Sequence, residues 1–248
     1  AEAVWNHQYA FFTEGKFVDV SEVYGVESYA IFDIHRDANG ELWMGCKGER
    51  YYGEDGGVVR VQGKKVQHLN TQNGMPSNNV YCIREHENGA IWIGSAGGVT
   101  IWQDESLTPL IDDELPSCYG TVLCMEEDHK GNTWIGSVGG LGFYSSDAYR
   151  CFTEKDDLRA ETIYLLQFQG DSILWVGSSS GLEKLDLNYF YETDSIRTTF
   201  YNDYTGFVGT ECDQNAVTWD SAGDLWFGTI KAAIRYRPSD DRIHKAID

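Results

Sequence analysis

Apolar and polar positions alternate along this chain in short runs, and turn residues interrupt them every eight to twelve positions. Val80 to Arg84, Ala90 to Gly94, Val99 to Gln103 and Leu107 to Ile111 are four consecutive runs, with Asn88-Gly89 and Gly97-Gly98 among the breaks. A period of two predicts β-strands, and glycine at those breaks supplies the positive φ that a tight hairpin demands. The chain reads as all-β.

The runs recur as a unit. Apolar-Trp-apolar-Gly stands at Leu42-Trp43-Met44-Gly45, Ile91-Trp92-Ile93-Gly94, Leu174-Trp175-Val176-Gly177 and Leu225-Trp226-Phe227-Gly228, and Thr133-Trp134-Ile135-Gly136 differs only at its first position. The Trp-to-Trp spacings are 49, 42, 41 and 51, and a turn signal precedes every copy. Four strands per unit of about 42 residues predict propeller blades. A single four-stranded sheet exposes two apolar faces, so it must stack against neighbours; the indole fills the gap, and the glycine two residues later lets the next blade approach. The predicted fold is one domain over residues 1–248, an all-β propeller of four-stranded antiparallel blades. Five clear repeats run over 30–79, 80–121, 122–162, 163–215 and 216–248. Residues 1–29 read as a partial blade, with Ala3-Val4-Trp5, Tyr9 to Thr13 and Lys16 to Val20 as strands and the innermost strand missing. Six blades are expected; a fragment of a seven-bladed or larger ring is the alternative.

Asn73-Gly74-Met75-Pro76-Ser77-Asn78-Asn79-Val80 and Asn88-Gly89-Ala90-Ile91-Trp92-Ile93-Gly94-Ser95-Ala96-Gly97-Gly98-Val99 carry a resemblance to the two-component regulator propeller family. It covers roughly residues 30–238. The resemblance implies an extracytoplasmic sensor region of the kind found in bacterial hybrid histidine kinases, hence a periplasmic or extracellular location and possible dimerisation. Its motif records core and turn residues and is silent about ligand. The β-sandwich, membrane helix and kinase that usually follow such propellers are not in this sequence, so no kinase is implied.

Charge narrows the partners. Nineteen Lys and Arg against 39 Asp and Glu leave a net charge of −20 over 248 residues. Such a field repels phosphate backbones and anionic lipid, which argues against nucleic acid, and no apolar run approaches the roughly 18 residues of a membrane span.

Motifs that suggest chemistry mostly dissolve into the repeat. Gly177-Ser178-Ser179-Ser180-Gly181 matches a nucleophile elbow but aligns with Gly94-Ser95-Ala96-Gly97-Gly98, so it reads as a hairpin turn. The six His lack metal-binding spacing and C-x-x-C is absent, which argues against zinc. Asp37-Ala38-Asn39-Gly40-Glu41 and Asp128-His129-Lys130-Gly131-Asn132 place oxygen ligands around glycine, a weak calcium signature; otherwise no cofactor is expected. Cys82 and Cys124 each precede their Trp by ten residues and read as buried thiols, while six Cys in all leave fifteen pairings open.

Recognition is then expected where the repeat breaks, at loops sharing one rim. After Trp43 the chain inserts Glu49, Arg50, Tyr51 and Tyr52, a guanidinium and planar rings on a glycine-flanked loop. Tyr201 to Asn215 reads as about nine added residues and carries Tyr204, Glu211 and Asn215; Lys231 replaces a turn glycine; Tyr119, Arg159 and Glu161 occupy the other inter-blade loops. Aromatic rings mixed with carboxylate, amide and guanidinium suit a glycan or other small polar ligand. The expected function is a non-catalytic ligand-binding or sensing module. A protein–protein platform and, less favoured, a polysaccharide lyase or lactonase are the alternatives.

Overall fold

The computed structural model describes residues 3–5, 8–13, 16–19, 30–48, 56–110, 118, 120–146, 148–159, 161–209 and 211–240. The strands are β1 Ala3–Trp5, β2 Gln8–Thr13, β3 Lys16–Asp19, β4 Ala30–Arg36, β5 Leu42–Lys47, β6 Gly57–Gln62, β7 Lys65–Leu69, β8 Val80–Glu85, β9 Ile91–Ser95, β10 Gly98–Gln103 and β11 Ser106–Pro109. They continue as β12 Val122–Glu127, β13 Thr133–Ser137, β14 Gly140–Tyr144, β15 Tyr149–Phe152, β16 Ile163–Gln169, β17 Ile173–Ser178, β18 Leu182–Asp186, β19 Thr198–Tyr201, β20 Cys212–Trp219, β21 Leu225–Thr229 and β22 Ala233–Tyr236. A short helix, α1 (Leu187–Thr193), is inserted between β18 and β19, its first turn capped by Asp186. Consecutive strands pair antiparallel into four four-stranded sheets, β4–β7, β8–β11, β12–β15 and β16–β19, and two three-stranded ones, β1–β3 and β20–β22. The repeat thus builds an all-β propeller of five described blades, the fifth with three strands. The N-terminal stretch forms the three strands expected of it. The fifth blade begins at Cys212, ahead of the expected 216. The chain forms two compact units, Ala1–Glu114 and Leu115–Asp248. Among the described residues no helix is long and apolar enough to cross a membrane.

The repeated indoles are wedges. Trp43, Trp134 and Trp175 are at most 1% exposed. Trp43 meets Trp102 of the next blade at 5.9 Å; Trp134 meets Phe190 of the next blade at 4.9 Å; Trp175 meets Phe227 and Tyr236 of the next blade at 5.5 and 4.7 Å. Glycine two positions later is required by crowding. A Cβ on Gly136 would stand 2.8 Å from Ile163, and one on Gly177 2.9 Å from the Cys212 sulfur, both on the first strand of the following blade.

Each indole also has a polar partner six residues earlier. Asp37 Oδ1 accepts the backbone N–H groups of Asn39 and Glu41 at 3.0 and 2.8 Å, and its Oδ2 accepts Trp43 Nε1–H at 2.9 Å. Asp128 and Asp220 repeat this on Trp134 and Trp226, and Gln169 Oε1 accepts from Trp175 Nε1 at 2.9 Å. The carboxylates that resemble calcium ligands therefore hold a turn and an indole together. In the second blade His86 occupies this position and stacks flat on Trp92 at 4.2 Å.

Burial pushes the His86 imidazole down to about 4. The unfolded chain takes up that proton near pH 6.5, so stability is intact above pH 6.5 and declines as pH falls from there to about 4. Solvent at the turn screens part of the effect, leaving on the order of 2 kcal/mol. His86→Gln, which installs the residue the fourth blade uses, is expected to remove that share of the acid-side decline. Urea titrations of both proteins between pH 7 and 4 check it; parallel curves would refute it.

One disulfide, Cys118–Cys151, ties the segment before β12 to the outer strand of the same blade. Cys46, Cys82, Cys124 and Cys212 are buried thiols, and burial raises Cys46 and Cys212 to about 12, which leaves them unreactive.

Candidate functional site

The inter-blade loops follow one plan. Asn70, Thr153 and Asn202 each cap a single 3-10 turn through a reciprocal capping box, and a left-handed residue (Gly74, Asp157, Gly206) ends it. The next residue, Met75, Leu158 or Phe207, is buried as an anchor. The strand of the next blade begins ten residues after the cap in all three, at Val80, Ile163 and Cys212. The 202–211 loop is therefore of regular length, and the inserted stretch expected across Tyr201–Asn215 is corrected: most of the extra length between Trp175 and Trp226 is the α1 insertion, and β20 adds two residues, Cys212 standing 14 before its Trp where Ile163 stands 12 before Trp175. What distinguishes this loop is its display. Tyr204 is 97% exposed where the other two loops carry Gln72 and Lys155.

The structure brings Tyr204's loop and Lys231's turn together. Thr229 Oγ1 donates to the Val208 carbonyl at 3.4 Å, Ile230 N–H to the Glu211 carbonyl at 3.1 Å, and Gly209 abuts the Lys231 Cβ. Lys231 is exposed and Glu211 half-buried. Arg159 and Glu161 are exposed on the preceding loop; Arg159 lies over Phe200 at 5.8 Å, and its backbone N–H donates to Glu183 Oε2 at 3.2 Å. Glu183 is fully buried on β18; desolvation raises its carboxyl, opposed by the Arg159 and Thr198 hydrogen bonds. Glu49, Arg50, Tyr51, Tyr52 and Tyr119 lie outside the described residues.

Sequence reading missed a second set of rim residues. The first strand of every repeat blade carries a register shift near its start, between Ile31 and Asp33, Val80 and Cys82, Val122 and Cys124, Ile163 and Leu165, and Cys212 and Val217. A bulge leaves its extra residue out of the ladder and re-aims the side chain. The residues so placed are Phe32, Tyr81, Leu123 and Tyr164, each eleven positions before its Trp, and the same count in the fifth blade gives Asn215, with φ 54°. That constant offset is the signal that finds them.

In the 1–114 unit, Phe32 and Tyr81 meet edge to face at 5.6 Å, and Lys47 Nζ lies 5.6 Å from the centre of the Phe32 ring. In the 115–248 unit, the longer bulge of β20 sends Gln214 Nε2 to the Leu123 carbonyl at 3.0 Å, with Asn215 Nδ2 3.5 Å from the same oxygen. Burial and the neighbouring Glu211 carboxylate raise the Tyr164 phenol, which stays a neutral donor. Each unit thus offers aromatic faces beside hydrogen-bonding groups. The Gly177–Gly181 turn is structural, as expected: buried Ser178 Oγ donates to the Gly181 carbonyl at 3.2 Å, like Ser95 and Ser137 in their turns. Among the described residues no group of three or more His, Cys, Asp or Glu is arranged to hold a metal ion.

Residues 74–97 match the family model described as two component regulator propeller. No curated protein matches the chain. Among solved structures, the extracellular domain of a hybrid two component system from B. thetaiotaomicron aligns with a TM-score of 0.77 at 22% identity, over 96% of this chain and 32% of that one. Virginiamycin B lyase from Staphylococcus aureus, solved with quinupristin, gives 0.64 at 15% over 94% and 74%, and an auxiliary nutrient binding protein from Bacteroides thetaiotaomicron 0.57 at 11% over 94% and 69%. The chain spans about a third of the length of the two component relative, and at these identities the likeness establishes the fold. The chain is a β-propeller in which residues 74–97 match the two component regulator propeller model.

Proposed function

We propose that this propeller is a non-catalytic ligand-binding or sensing module, periplasmic or extracellular, for a glycan or small polar ligand at the rim, and that β1–β3 counts as a sixth, incomplete blade. The observation that carries the reading is the repeated first-strand bulge, which takes Phe32, Tyr81 and Tyr164 out of their ladders, with Lys47 beside Phe32 in one unit and the Glu211 carboxylate near Tyr164 in the other. Ring faces stack on sugar C–H groups while amide and carboxylate groups bond hydroxyls. The extracellular two component relative and the nutrient binding protein support a sensing role, and the disulfide suits an oxidising compartment. Binding to immobilised glycans followed by calorimetry on the hits tests it. Tyr81→Ala and Tyr164→Ala are each expected to weaken binding about fivefold, the worth of one stacked ring. Tyr149→Ala, on the outer strand β15, is expected to leave it unchanged. Equal losses from all three would sink the rim assignment.

A second reading has its own observation. Tyr204, Val208 and Ile230 are 97%, 55% and 59% exposed on adjoining loops, an apolar patch of the kind that marks protein interfaces. On that reading a protein partner, or a second copy, docks there, and Tyr204→Ala weakens its binding while glycans fail to bind.

A further inference from the structure

Opposite the residue that follows each Trp, the third strand carries Val59, Thr100, Gly142 and Ile234 in four repeat blades and Glu183 in the remaining one. An uncharged position thus becomes a carboxylate once. Glu183 is 0% exposed. It shares a face of its sheet with Val176 and Leu185, which pack with Trp134 and Leu158 in the seam between the third and fourth blades. Its Oε1 accepts the Thr198 hydroxyl at 3.0 Å, and its Oε2 accepts the Arg159 backbone N–H at 3.2 Å. A buried ion is a costly acceptor for one loop amide, which a neutral side chain would satisfy as well. In the 70–79 loop the counterpart of Arg159 is Pro76, which has no N–H to satisfy.

The neutral acid fits this seat without a charge. Its hydroxyl donates to Thr198 Oγ1, the Thr hydroxyl turning from donor to acceptor, and its carbonyl oxygen still accepts the Arg159 N–H. The carboxylate keeps both bonds but stands dehydrated, and lifting the Arg159 turn lets water reach it. The charge that faces Glu183 is that of Arg159. Its ladder partners Val176 and Phe200 are apolar, Lys184 lies on the opposite face over Trp175 and Tyr236, and Arg197, beside Thr198, is paired with Asp186. Burial outweighs the two hydrogen bonds and the Arg159 charge and raises the carboxyl, so the closed loop binds the proton more tightly than water-exposed Glu183 does. The turn also stores strain: Asp157 holds φ 70° where Gly74 and Gly206 serve in the sister loops.

We propose that Glu183 is a proton-operated latch on the loop that carries Arg159 and Glu161: the neutral acid holds the turn shut, and the carboxylate releases it. Proton binding and closure are then linked with a definite sign. Closure is strongest below about pH 4.5, the ordinary carboxyl value, weakens as pH rises through the raised value, and levels off above it. The strain at Asp157 keeps the open state within reach. A rim ligand that contacts Arg159 and Glu161 in the closed position binds more tightly in acid; that consequence rests on the rim reading, whereas the latch itself does not.

The test is amide hydrogen exchange on the full chain between pH 5 and 8, each rate divided by its intrinsic chemical rate so that only opening is compared. Leu158, Met75 and Phe207 each donate N–H to the carbonyl of their own loop's cap, at 3.3, 3.0 and 2.9 Å, so Met75 and Phe207 report on the sister loops. Expected is a rise in opening of about fivefold or more at Leu158 and Arg159 from pH 5 to 8, against less than about twofold at Met75 and Phe207. Glu183→Gln, whose carbonyl accepts from Arg159 and whose amide donates to Thr198, is expected to remove the pH dependence and hold the loop at its pH 5 level. A flat profile at Leu158 and Arg159, the same slope in Glu183→Gln, or an equal rise in all three loops would overturn the proposal. Should Glu183→Gln not fold, the comparison of the three loops in the unaltered chain still decides. No ligand enters the measurement, so a negative result leaves the rim reading standing.

Discussion

Replacing Trp134 with alanine is expected to cost about 4 kcal/mol of unfolding free energy, and the same change at Trp226 about 1–2 kcal/mol. Trp134 is fully buried and touches Phe143 and Phe152 of its own blade and Phe190 of the next, at 5.0, 6.3 and 4.9 Å. Truncation opens a cavity between two sheets, each kept rigid by its own β pairing, so the gap closes only in part. It also removes one of the hydrogen bonds to Asp128 Oδ2, which keeps that of the Tyr191 hydroxyl. Trp226 is half-buried, with Arg235 stacked over it at 5.8 Å, so less apolar surface is lost there. Trp134→Phe separates the two contributions: it keeps most of the packing and loses the indole N–H, for about 1–2 kcal/mol. Urea unfolding followed by circular dichroism measures all three. Equal losses at Trp134 and Trp226 would mean that the indoles are not wedges between blades.

The architecture was legible because its determinants are local and repeated: an indole, a crowded glycine and a turn glycine in every unit. The rim was less so. A bulge adds one residue to a strand that already alternates, and Phe32, Tyr81 and Tyr164 look like ordinary strand residues until they are counted back from the Trp. The loop at 202–211 was misread as an insertion because cap and anchor are chemically interchangeable; Asn70, Thr153 and Asn202 do one job, and Met75, Leu158 and Phe207 another. The acids at Asp37 and Asp128 suggested calcium because oxygen ligands around glycine are all that spacing shows; that each also accepts an indole N–H and two backbone N–H groups is set by turn geometry. The pairing of Cys118 with Cys151 depends on a loop folding back on an outer strand, which spacing does not encode.

Arg60 links the first two blades by a second means, and Arg60→Ala is expected to destabilise the protein by about 3–5 kcal/mol. Its guanidinium lies 5.1 Å from the ring centres of both Trp43 and Trp102, on successive blades. Its Nε donates to Glu41 Oε2 at 2.6 Å and one terminal nitrogen to Glu105 Oε1 at 2.7 Å. Arg60 and Glu41 are each 8% exposed, so alanine at position 60 leaves the buried Glu41 carboxylate without its cation, held only by the Gln62 amide. Glu105 has a side chain 63% exposed, and Glu105→Ala is expected to cost no more than about 1 kcal/mol. Arg60→Lys keeps the charge but not the flat stacked fork, so it should recover only part of the loss. The decisive comparison is Arg60→Met combined with Glu41→Gln, which removes both charges while keeping an apolar chain between the rings. If desolvation dominates, this pair recovers to within about 1 kcal/mol of the unaltered protein in urea titrations. If it stays as unstable as Arg60→Ala, the link between these blades is the ion pair itself rather than the packing of the guanidinium against two indoles.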